Sequence, residues 1–293
     1  NIFCFGFGQV AKNFIKKLII EKYNINLSVT SRSETSKKFF KGINYNSYLF
    51  NSEKFDQNLV VKLKEADHIL VSIPPEKQED LVVKNFSKFI EDAKVKWITY
   101  LSSTSVYGKQ TEIVDEDCEE KFLIPQSPYA KIKLIEEKTL MKYRKNLKYN
   151  TFRFGTIAGV SKGIRFHTAV NKFCWQAVMS QPISVWTTAY NQKRPYLDLS
   201  DASKAIAFII QNNIFDGQIY NVLTTNTTVK KVVDTIKEFV PNLEVEFVDN
   251  RIMNQLSYEV MSDRFKSKGF VFSGDMRRGV KETINLLKHA NHI

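Results

Sequence analysis

Residues 97–133 read WITYLSSTSVYGKQTEIVDEDCEEKFLIPQSPYAKIK, and this stretch decides how the rest of the chain is interpreted. Its first part, Trp97–Ser103, is apolar and rich in β-forming residues, which predicts a buried strand. Open α/β sheets bind ligands at the carboxyl ends of their strands, so we expect Ser103 to face a cleft. Near its end, Ser127 and Pro128 precede a helical run, as a capping Ser and a first-turn Pro do.

Tyr129 and Lys133 lie four residues apart on that predicted helix, so they share one face. An ammonium group close to a phenol favours the phenolate and lowers its pKa. The phenol can then exchange a proton with a substrate oxygen to which Ser103 donates a hydrogen bond. The spacing alone is a weak signal, because Tyr and Lys are both abundant here. In its context, however, the set predicts acid/base chemistry on carbonyls and alcohols.

The amino terminus, NIFCFGFGQVAKNFIKKLII (residues 1–20), predicts a strand, a glycine turn and an amphipathic helix. Its G-x-G-x-x-A pattern comprises Gly6, Gly8 and Ala11. We expect Gly8 to let the backbone approach a pyrophosphate and Ala11 to allow close helix packing. Gln9 and Val10 would contribute amides at the positive end of the helix dipole. The segment therefore predicts dinucleotide binding.

The segment Leu27–Ser33 predicts the second strand and its loop. NAD-preferring folds usually place a carboxylate here, but none precedes Glu34. Instead, Ser31, Arg32 and Ser33 offer a cation and hydroxyls suited to a 2′-phosphate. These residues favour NADP(H) over NAD, although Arg32 stacking on the adenine is the alternative.

The segment DHILVSIPP (67–75) predicts another buried strand. Ser72 and Pro74 lie at its carboxyl-terminal end and are expected to line the cofactor cleft.

The segments SSTSVYG and SPYAKIK resemble the extended short-chain dehydrogenase/reductases, the nucleotide-sugar epimerase and dehydratase group. This resemblance implies an α/β fold: a Rossmann-type doubly wound parallel sheet with a smaller C-terminal substrate domain. It also implies Ser103, Tyr129 and Lys133 as catalytic residues, with Tyr129 and Lys133 contacting NADP or NAD, and a homodimer. The G-x-G-x-x-A loop departs from the G-x-x-G-x-x-G of extended members, whose first Gly would fall on Phe5.

Beyond residue 149 the same resemblance identifies candidate substrate contacts. In YNTFRFGTIAG (149–159), Arg153 and Gly159 match the family, while Thr156 replaces an Asn that touches substrate. Residues 186–210 are a strong match and imply that Arg194 clamps a diphosphate. The expected substrate-binding residues are Ser103, Thr104, Thr156, Asn171 and Arg194, with Arg165 and His167 nearby.

The domain prediction follows from the order of the elements. Residues 1–155 are expected to form the NAD(P)-binding Rossmann domain, with 200–223 returning to it. Residues 156–293 are expected to form mainly the substrate-binding domain. A helical and loop segment is predicted after Ser33, and an amphipathic helix over residues 76–93.

Composition narrows the function classes. The net charge of +12 raises the question of nucleic-acid binding, but the lysines are scattered, which favours a solvated surface and an anionic small substrate. Cys4, Cys118 and Cys174 are widely spaced and fit neither a disulfide framework nor a metal site. With no apolar run long enough to cross a bilayer, the sequence predicts a soluble cytoplasmic protein that binds neither membrane nor nucleic acid.

The reaction stays open between an epimerase and a reductase acting on a nucleotide-activated sugar. A 4,6-dehydratase is disfavoured, because family dehydratases carry Asp-Glu where this chain has Thr104 and Ser105. Arg32 leans towards a reductase, whereas SSTSVYG is similar to sugar 4-epimerases. The alternative of another class is a non-catalytic dinucleotide-binding or RNA-binding protein on the same fold.

Overall fold

The computed structural model describes residues 1–75, 80–82, 84–86, 97–108, 110, 112–142, 148–161, 164, 166, 168–249 and 258–290. The chain divides into two compact units. The first comprises Asn1–Ser103, Ser127–Arg153 and Ser203–Tyr220, and the second comprises Thr104–Gln126, Phe154–Ala202 and Asn221–Ile293. The segment 104–126 thus lies in the second unit, although the sequence analysis assigned it to the first.

The strands, in chain order, are β1 Ile2–Phe5, β2 Leu27–Ser31, β3 Ser36–Phe40, β4 Ile43–Leu49, β5 His68–Val71, β6 Trp97–Ser103, β7 Tyr149–Phe154, β8 Thr156–Ala158, β9 Ile183–Trp186, β10 Lys193–Asp198, β11 Ile219–Val222, β12 Thr225–Thr228 and β13 Val245–Val248. The α-helices are α1 Gln9–Ile20, α2 Asn58–Lys64, α3 Pro128–Lys142, α4 Ala169–Val178, α5 Leu199–Gln211, α6 Val229–Lys237, α7 Asp263–Ser267 and α8 Met276–Ala290.

The larger sheet has the strand order β11-β7-β6-β5-β1-β2-β4-β3. Strand β1 pairs in parallel with β2 and β5, β2 with β4, and β5 with β6. The helices that connect such strands cover the faces of the sheet, as in doubly wound folds. The predicted α/β fold with a large, mostly parallel sheet is confirmed.

The core of the first unit contains apolar residues of β1, β5 and β6 packed with apolar residues of α2. Phe3 and Phe5 are fully buried in it, together with Ile69 and Tyr100. Helix α1 buries Phe14, whose ring centroid lies 6.1 Å from that of His68 in β5, on the face that its periodicity predicts.

The segment after Ser33 differs in part from the prediction of a helical and loop segment. Its later part forms helix α2 (Asn58–Lys64), but Ser36–Phe40 and Ile43–Leu49 form an antiparallel hairpin, β3–β4, at the edge of the sheet. Lys37 and Phe39 point outward, with Phe39 69% exposed. Lys37 and Lys38 therefore lie on an edge strand, where Lys discourages pairing with other chains.

Helix α3 begins as the sequence predicts. The Ser127 hydroxyl accepts a hydrogen bond from the Ala130 amide (3.1 Å), and Pro128 is the first helical residue. Of the predicted helix at 76–93, residues 81–82 and 84–86 are helical, and the remainder lies mostly outside the described residues.

The second unit contains two smaller sheets, with strand orders β12-β10-β8 and β13-β9. Its core packs helices α4, α6 and α8, and it includes Phe173, Ile183, Tyr196 and Ile236. Across the described part of the chain, no helix combines the length and apolar character that a bilayer crossing requires.

Candidate active site

The glycine loop between β1 and α1 is tightly held by its neighbours in the first unit. Gly6 has φ +86°, and a Cβ there would lie 2.5 Å from Ile73 Cγ2, so both conformation and space require glycine. The Gly6 amide donates to Thr30 Oγ1 (2.8 Å). The Ser72 hydroxyl donates to the Phe5 carbonyl (3.0 Å), which fixes the loop from the adjacent strand.

The amino terminus of α1 has the features that an anionic group requires. Gly8 is the N-cap residue, and a Cβ there would meet no described atom within 4 Å. The first turn, which includes Gln9 and Val10, carries no acidic residue, and Ala11 is fully buried. The first amides of a helix have no intrahelical acceptor and bear the positive end of the dipole. These residues therefore fit the pyrophosphate of a dinucleotide.

The loop after β2 presents the residues that were predicted to select the cofactor. Ser31 Oγ and Ser33 Oγ lie 3.1 Å apart, and Arg32 and Ser33 are exposed. The Asn51 side chain donates to the Arg32 carbonyl (3.2 Å), which fixes the backbone and leaves the guanidinium at the surface. Pro74 is half-buried and follows β5.

Ser103, Tyr129 and Lys133 all belong to the first unit. Ser103 is the last residue of β6, and Tyr129 occupies the first turn of α3 with 43% of its surface exposed. Lys133, one helical turn later, is 1% exposed, and its Nζ lies 6.0 Å from the centroid of the Tyr129 ring. An accessible phenol thus has a buried ammonium close behind it.

The partners of Lys133 were not anticipated from the sequence. Its Nζ donates to the Tyr100 hydroxyl (2.6 Å) and to Glu136 Oε2 (3.0 Å). Burial lowers the pKa of Lys133 to about 8, while Asp80 and Glu137 act in the opposite direction. Tyr100 and Glu136 escaped sequence reasoning because a strand residue before Ser103 and a mid-helix Glu carry no motif.

In the second unit, Thr104 and Arg194 meet around a residue that the sequence analysis missed, Tyr258. Thr104 Oγ1 lies 3.4 Å from the Tyr258 hydroxyl, and the Arg194 guanidinium carbon lies 5.6 Å from the centroid of the Tyr258 ring. Tyr258 is 8% exposed, and burial raises its pKa. A lone Tyr more than 150 positions after Thr104 gave no sequence signal.

The other predicted substrate residues are less closely grouped. Thr156 begins β8, which pairs with the strand that carries Arg194, at the register Tyr196↔Thr156. Asn171 is buried in α4, at 1% exposure. Arg165 and His167 lie outside the described residues.

The start of α5 has a structural arrangement of carboxylates. Asp198 caps the helix by accepting the Ser200 amide (2.7 Å). Asp201 accepts the amides of Ser273 and Gly274, at 3.0 and 2.9 Å. These bonds attach the segment before α8 to the helix.

Comparison with known proteins shows what this chain resembles. Residues 79–222, just under half of the chain, match the model of the NAD dependent epimerase/dehydratase family. Curated relatives in Arabidopsis thaliana are trifunctional enzymes named for UDP-glucose 4,6-dehydratase, UDP-4-keto-6-deoxy-D-glucose 3,5-epimerase and UDP-4-keto-L-rhamnose-reductase activities. One of them is 24% identical over 205 residues, which is 66% of this chain and 29% of the relative. The match thus spans under a third of these relatives.

Two solved structures share the fold of this chain. MoeE5 in complex with UDP-glucose and NAD superposes with a TM-score of 0.79 at 18% identity, covering 99% of both chains. The UDP-glucose 4-epimerase of Thermus thermophilus in complex with NAD gives a TM-score of 0.76 at 17% identity, again covering 99% of both. At such identities the likeness establishes the fold.

Proposed function

We propose that this chain is an NAD(P)-dependent epimerase or reductase that acts on a nucleotide-activated sugar. The observation that carries the proposal is the arrangement of Tyr129 and Lys133. The phenol is 43% exposed, and the ammonium lies buried 6.0 Å from its ring centroid. A sequestered positive charge near an accessible phenol favours the phenolate, which a proton-exchanging group at neutral pH requires.

The proposed chemistry assigns one task to each side chain. Tyr129 takes the proton of a sugar hydroxyl during oxidation and returns it during reduction, while Ser103 donates a hydrogen bond to the same oxygen. Lys133 supplies the positive charge that stabilises the phenolate. A bound nicotinamide supplies hydride acceptance and donation at the adjacent sugar carbon.

The proposed cofactor site is built from the glycine loop and the residues around it. Gly6, Gly8 and the amides of Gln9 and Val10 would hold the pyrophosphate, with Ala11 beneath them. Ser31, Arg32 and Ser33 would contact the adenosine end, and the exposed guanidinium favours NADP(H). Ser72 and Pro74 would line the site, and Lys133 would contact the nicotinamide ribose beside Tyr129.

The proposed substrate class rests on the second unit as well. Arg194 is a guanidinium suited to a diphosphate, and its contact with Tyr258 orients it. Thr104, Thr156 and Asn171 complete the set proposed for the nucleotide-sugar. Thr104 and Ser105 stand where dehydratases of the resemblance carry Asp-Glu, so we do not propose 4,6-dehydration.

Purified protein tests the proposal directly. Mass spectrometry and absorbance identify any dinucleotide that co-purifies, and titration compares NADH with NADPH. A panel of UDP-sugars is then assayed for epimerisation and for oxidation or reduction. Bound dinucleotide together with turnover of a panel member supports the proposal. Absence of binding by either cofactor would contradict it and would return the RNA-binding alternative, which the match to the epimerase/dehydratase model does not favour.

The homodimer and the cytoplasmic location stay predictions. Light scattering on the purified chain and fractionation of the source cells measure them.

A further inference from the structure

One aromatic side chain stands inside the glycine loop that the proposed function assigns to the cofactor. Phe7 lies between Gly6 and Gly8, so it is the only side chain in this three-residue stretch. Glycine has more conformational freedom than other residues, and ordering a stretch with two of them costs more conformational entropy. Any side-chain anchor between the two glycines must therefore be Phe7.

The ring of Phe7 packs on the β3–β4 hairpin, which belongs to the same unit. Its centroid lies 5.3 Å from that of Phe40, in an edge-to-face arrangement, and 5.1 Å from that of Tyr45. Both distances are typical of favourable aromatic pairs. Lys12 Nζ, from α1, lies 5.9 Å from the centroid of the same ring. Phe7 thus contacts the hairpin and the helix that follows the loop.

The hairpin presents an apolar face to the loop because its side chains alternate. Phe40 pairs with Ile43, and Tyr45 lies two residues after Ile43, so these three side chains share one face, and all are half-buried. Phe39 lies on the opposite face and is 69% exposed. The half-buried face is the one that Phe7 contacts.

Backbone hydrogen bonds fix the two ends of the glycine loop. The Gly6 amide donates to Thr30 Oγ1 (2.8 Å), and the Lys12 amide donates to the Gly8 carbonyl (2.9 Å). The aromatic contact of Phe7 lies between these two bonds in the chain. It therefore fixes the part of the loop that leads into the first amides of α1.

We propose that Phe7 and Phe40 are positioning residues, which hold the glycine loop in the conformation that binds the dinucleotide. A loop already held in its binding conformation loses less conformational entropy when the ligand binds. The inference rests on the proposed function for the identity of the ligand, whereas the anchoring of the loop is measurable without any cofactor. The G-x-G-x-x-A pattern and the unexpected hairpin, which set this chain apart, are thus joined by one contact.

Amide hydrogen exchange of the full chain, followed by NMR without cofactor, tests the anchoring. The Gly6 and Lys12 amides report on the two ends of the loop. The Thr151 amide is the internal reference, because it donates to the Gln218 carbonyl (3.0 Å) in β7, near the other edge of the sheet. Local opening of the loop changes the first two exchange rates and leaves the third unchanged.

Substitutions at two neighbouring residues of β3 separate the aromatic contact from a general effect on the hairpin. Phe40→Ala should speed exchange at Gly6 and Lys12 by about two- to tenfold, which corresponds to the loss of one aromatic pair. Phe40→Tyr keeps the ring and should restore the wild-type rates. Phe39→Ala is the matched control, because Phe39 lies on the opposite face of the same strand. Equal rates in Phe40→Ala and Phe39→Ala would overturn the proposal.

A second variant keeps the test valid if Phe40→Ala disturbs the hairpin itself. Phe7→Ala removes the same contact from the side of the loop and leaves the hairpin sequence intact. It should speed loop exchange at least as much as Phe40→Ala, since it also removes the contact with Tyr45. Adding Phe40→Ala to Phe7→Ala should have little further effect, because both substitutions remove one contact. Additive effects of the two substitutions would overturn the proposal.

Fluorescence titration with NADH and NADPH tests the consequence for binding. Phe7→Ala should bind the preferred dinucleotide at least about threefold more weakly, because only the fraction of molecules with the loop in place binds. Phe39→Ala should bind as the wild type does, and so should Gly42→Ala, which strains the turn between the strands but removes neither ring. Wild-type affinity in Phe7→Ala would overturn the positioning role. A wild type that binds neither dinucleotide would refute the proposed function, whereas the exchange rates would still support or overturn the anchoring.

Discussion

Alanine substitutions at three glycines separate the fold of the cofactor loop from its function. At Gly6 an alanine would have to adopt φ +86°, and its Cβ would lie 2.5 Å from Ile73 Cγ2. At Gly42 an alanine would have only the conformational penalty, because φ is +93° and no described atom lies within 4 Å of a Cβ there. At Gly8 an alanine would have neither the conformational nor the steric penalty, because φ is −85° and an added Cβ would meet no described atom within 4 Å.

The expected losses follow from these distances. A left-handed alanine costs about 1–2 kcal/mol, which is the whole effect at Gly42. At Gly6 the Cβ is about 1 Å closer than ordinary carbon contact, and such overpacking adds about 1–3 kcal/mol. Gly8→Ala exchanges one N-cap residue for a poorer one and costs at most about 1 kcal/mol. The loss of stability should therefore be largest for Gly6→Ala, smaller for Gly42→Ala and smallest for Gly8→Ala.

Dinucleotide binding should follow a different order. Gly8→Ala places a methyl group where the pyrophosphate must approach, so its affinity should fall at least about tenfold, or 1.4 kcal/mol. Gly42→Ala should bind as the wild type does. Urea unfolding measures the stabilities, and fluorescence titration with NADH and NADPH measures the affinities. Wild-type affinity in folded Gly8→Ala would refute the assignment of the pyrophosphate to this loop.

Three further predictions concern the cofactor preference, acid stability and substrate affinity. Arg32→Ala should weaken NADPH binding about tenfold with little change for NADH, and equal losses for both in a paired titration would count against a 2′-phosphate contact. His68 is buried against Thr99, and burial lowers its pKa to about 3. Because the unfolded chain alone takes up this proton, stability should decline by up to about 1.4 kcal/mol per pH unit as pH falls from 6 to 4. Acid unfolding of His68→Gln should lack this component. Arg194→Ala should raise the KM for a nucleotide-sugar about tenfold or more, and an unchanged KM in steady-state assays would remove Arg194 from the site.

Local signals explain why part of the fold was predictable. Strand β6 and the start of α3 were predicted correctly, because an apolar β-rich run and a Ser-Pro cap each act within a few residues. The glycine pattern before α1 is similarly local, and Gly6 adopts the positive φ for which glycine is suited. Such elements need no knowledge of distant neighbours.

What the sequence did not reveal depends on neighbours distant in the chain. The prediction of a helical and loop segment after Ser33 misses the β3–β4 hairpin, because Lys37 and Phe39 are both exposed on an edge strand and hide the expected alternation of polar and apolar residues. The contacts of Tyr258 and Lys133 depend on partners that only the fold brings close. Lys133 meets Tyr100 across 33 positions of the chain, and Tyr258 meets Thr104 across 154.

The most direct test of the central claim is the turnover of a nucleotide-sugar by Tyr129→Phe, with cofactor binding measured on the same preparation. Tyr23→Phe is the matched control, because Tyr23 lies beyond the opposite end of α1, about 18 Å along the helix from the glycine loop. The account predicts that Tyr129→Phe binds dinucleotide normally but loses about 10²- to 10⁴-fold in kcat, while Tyr23→Phe keeps both properties. Wild-type turnover by Tyr129→Phe would contradict the account.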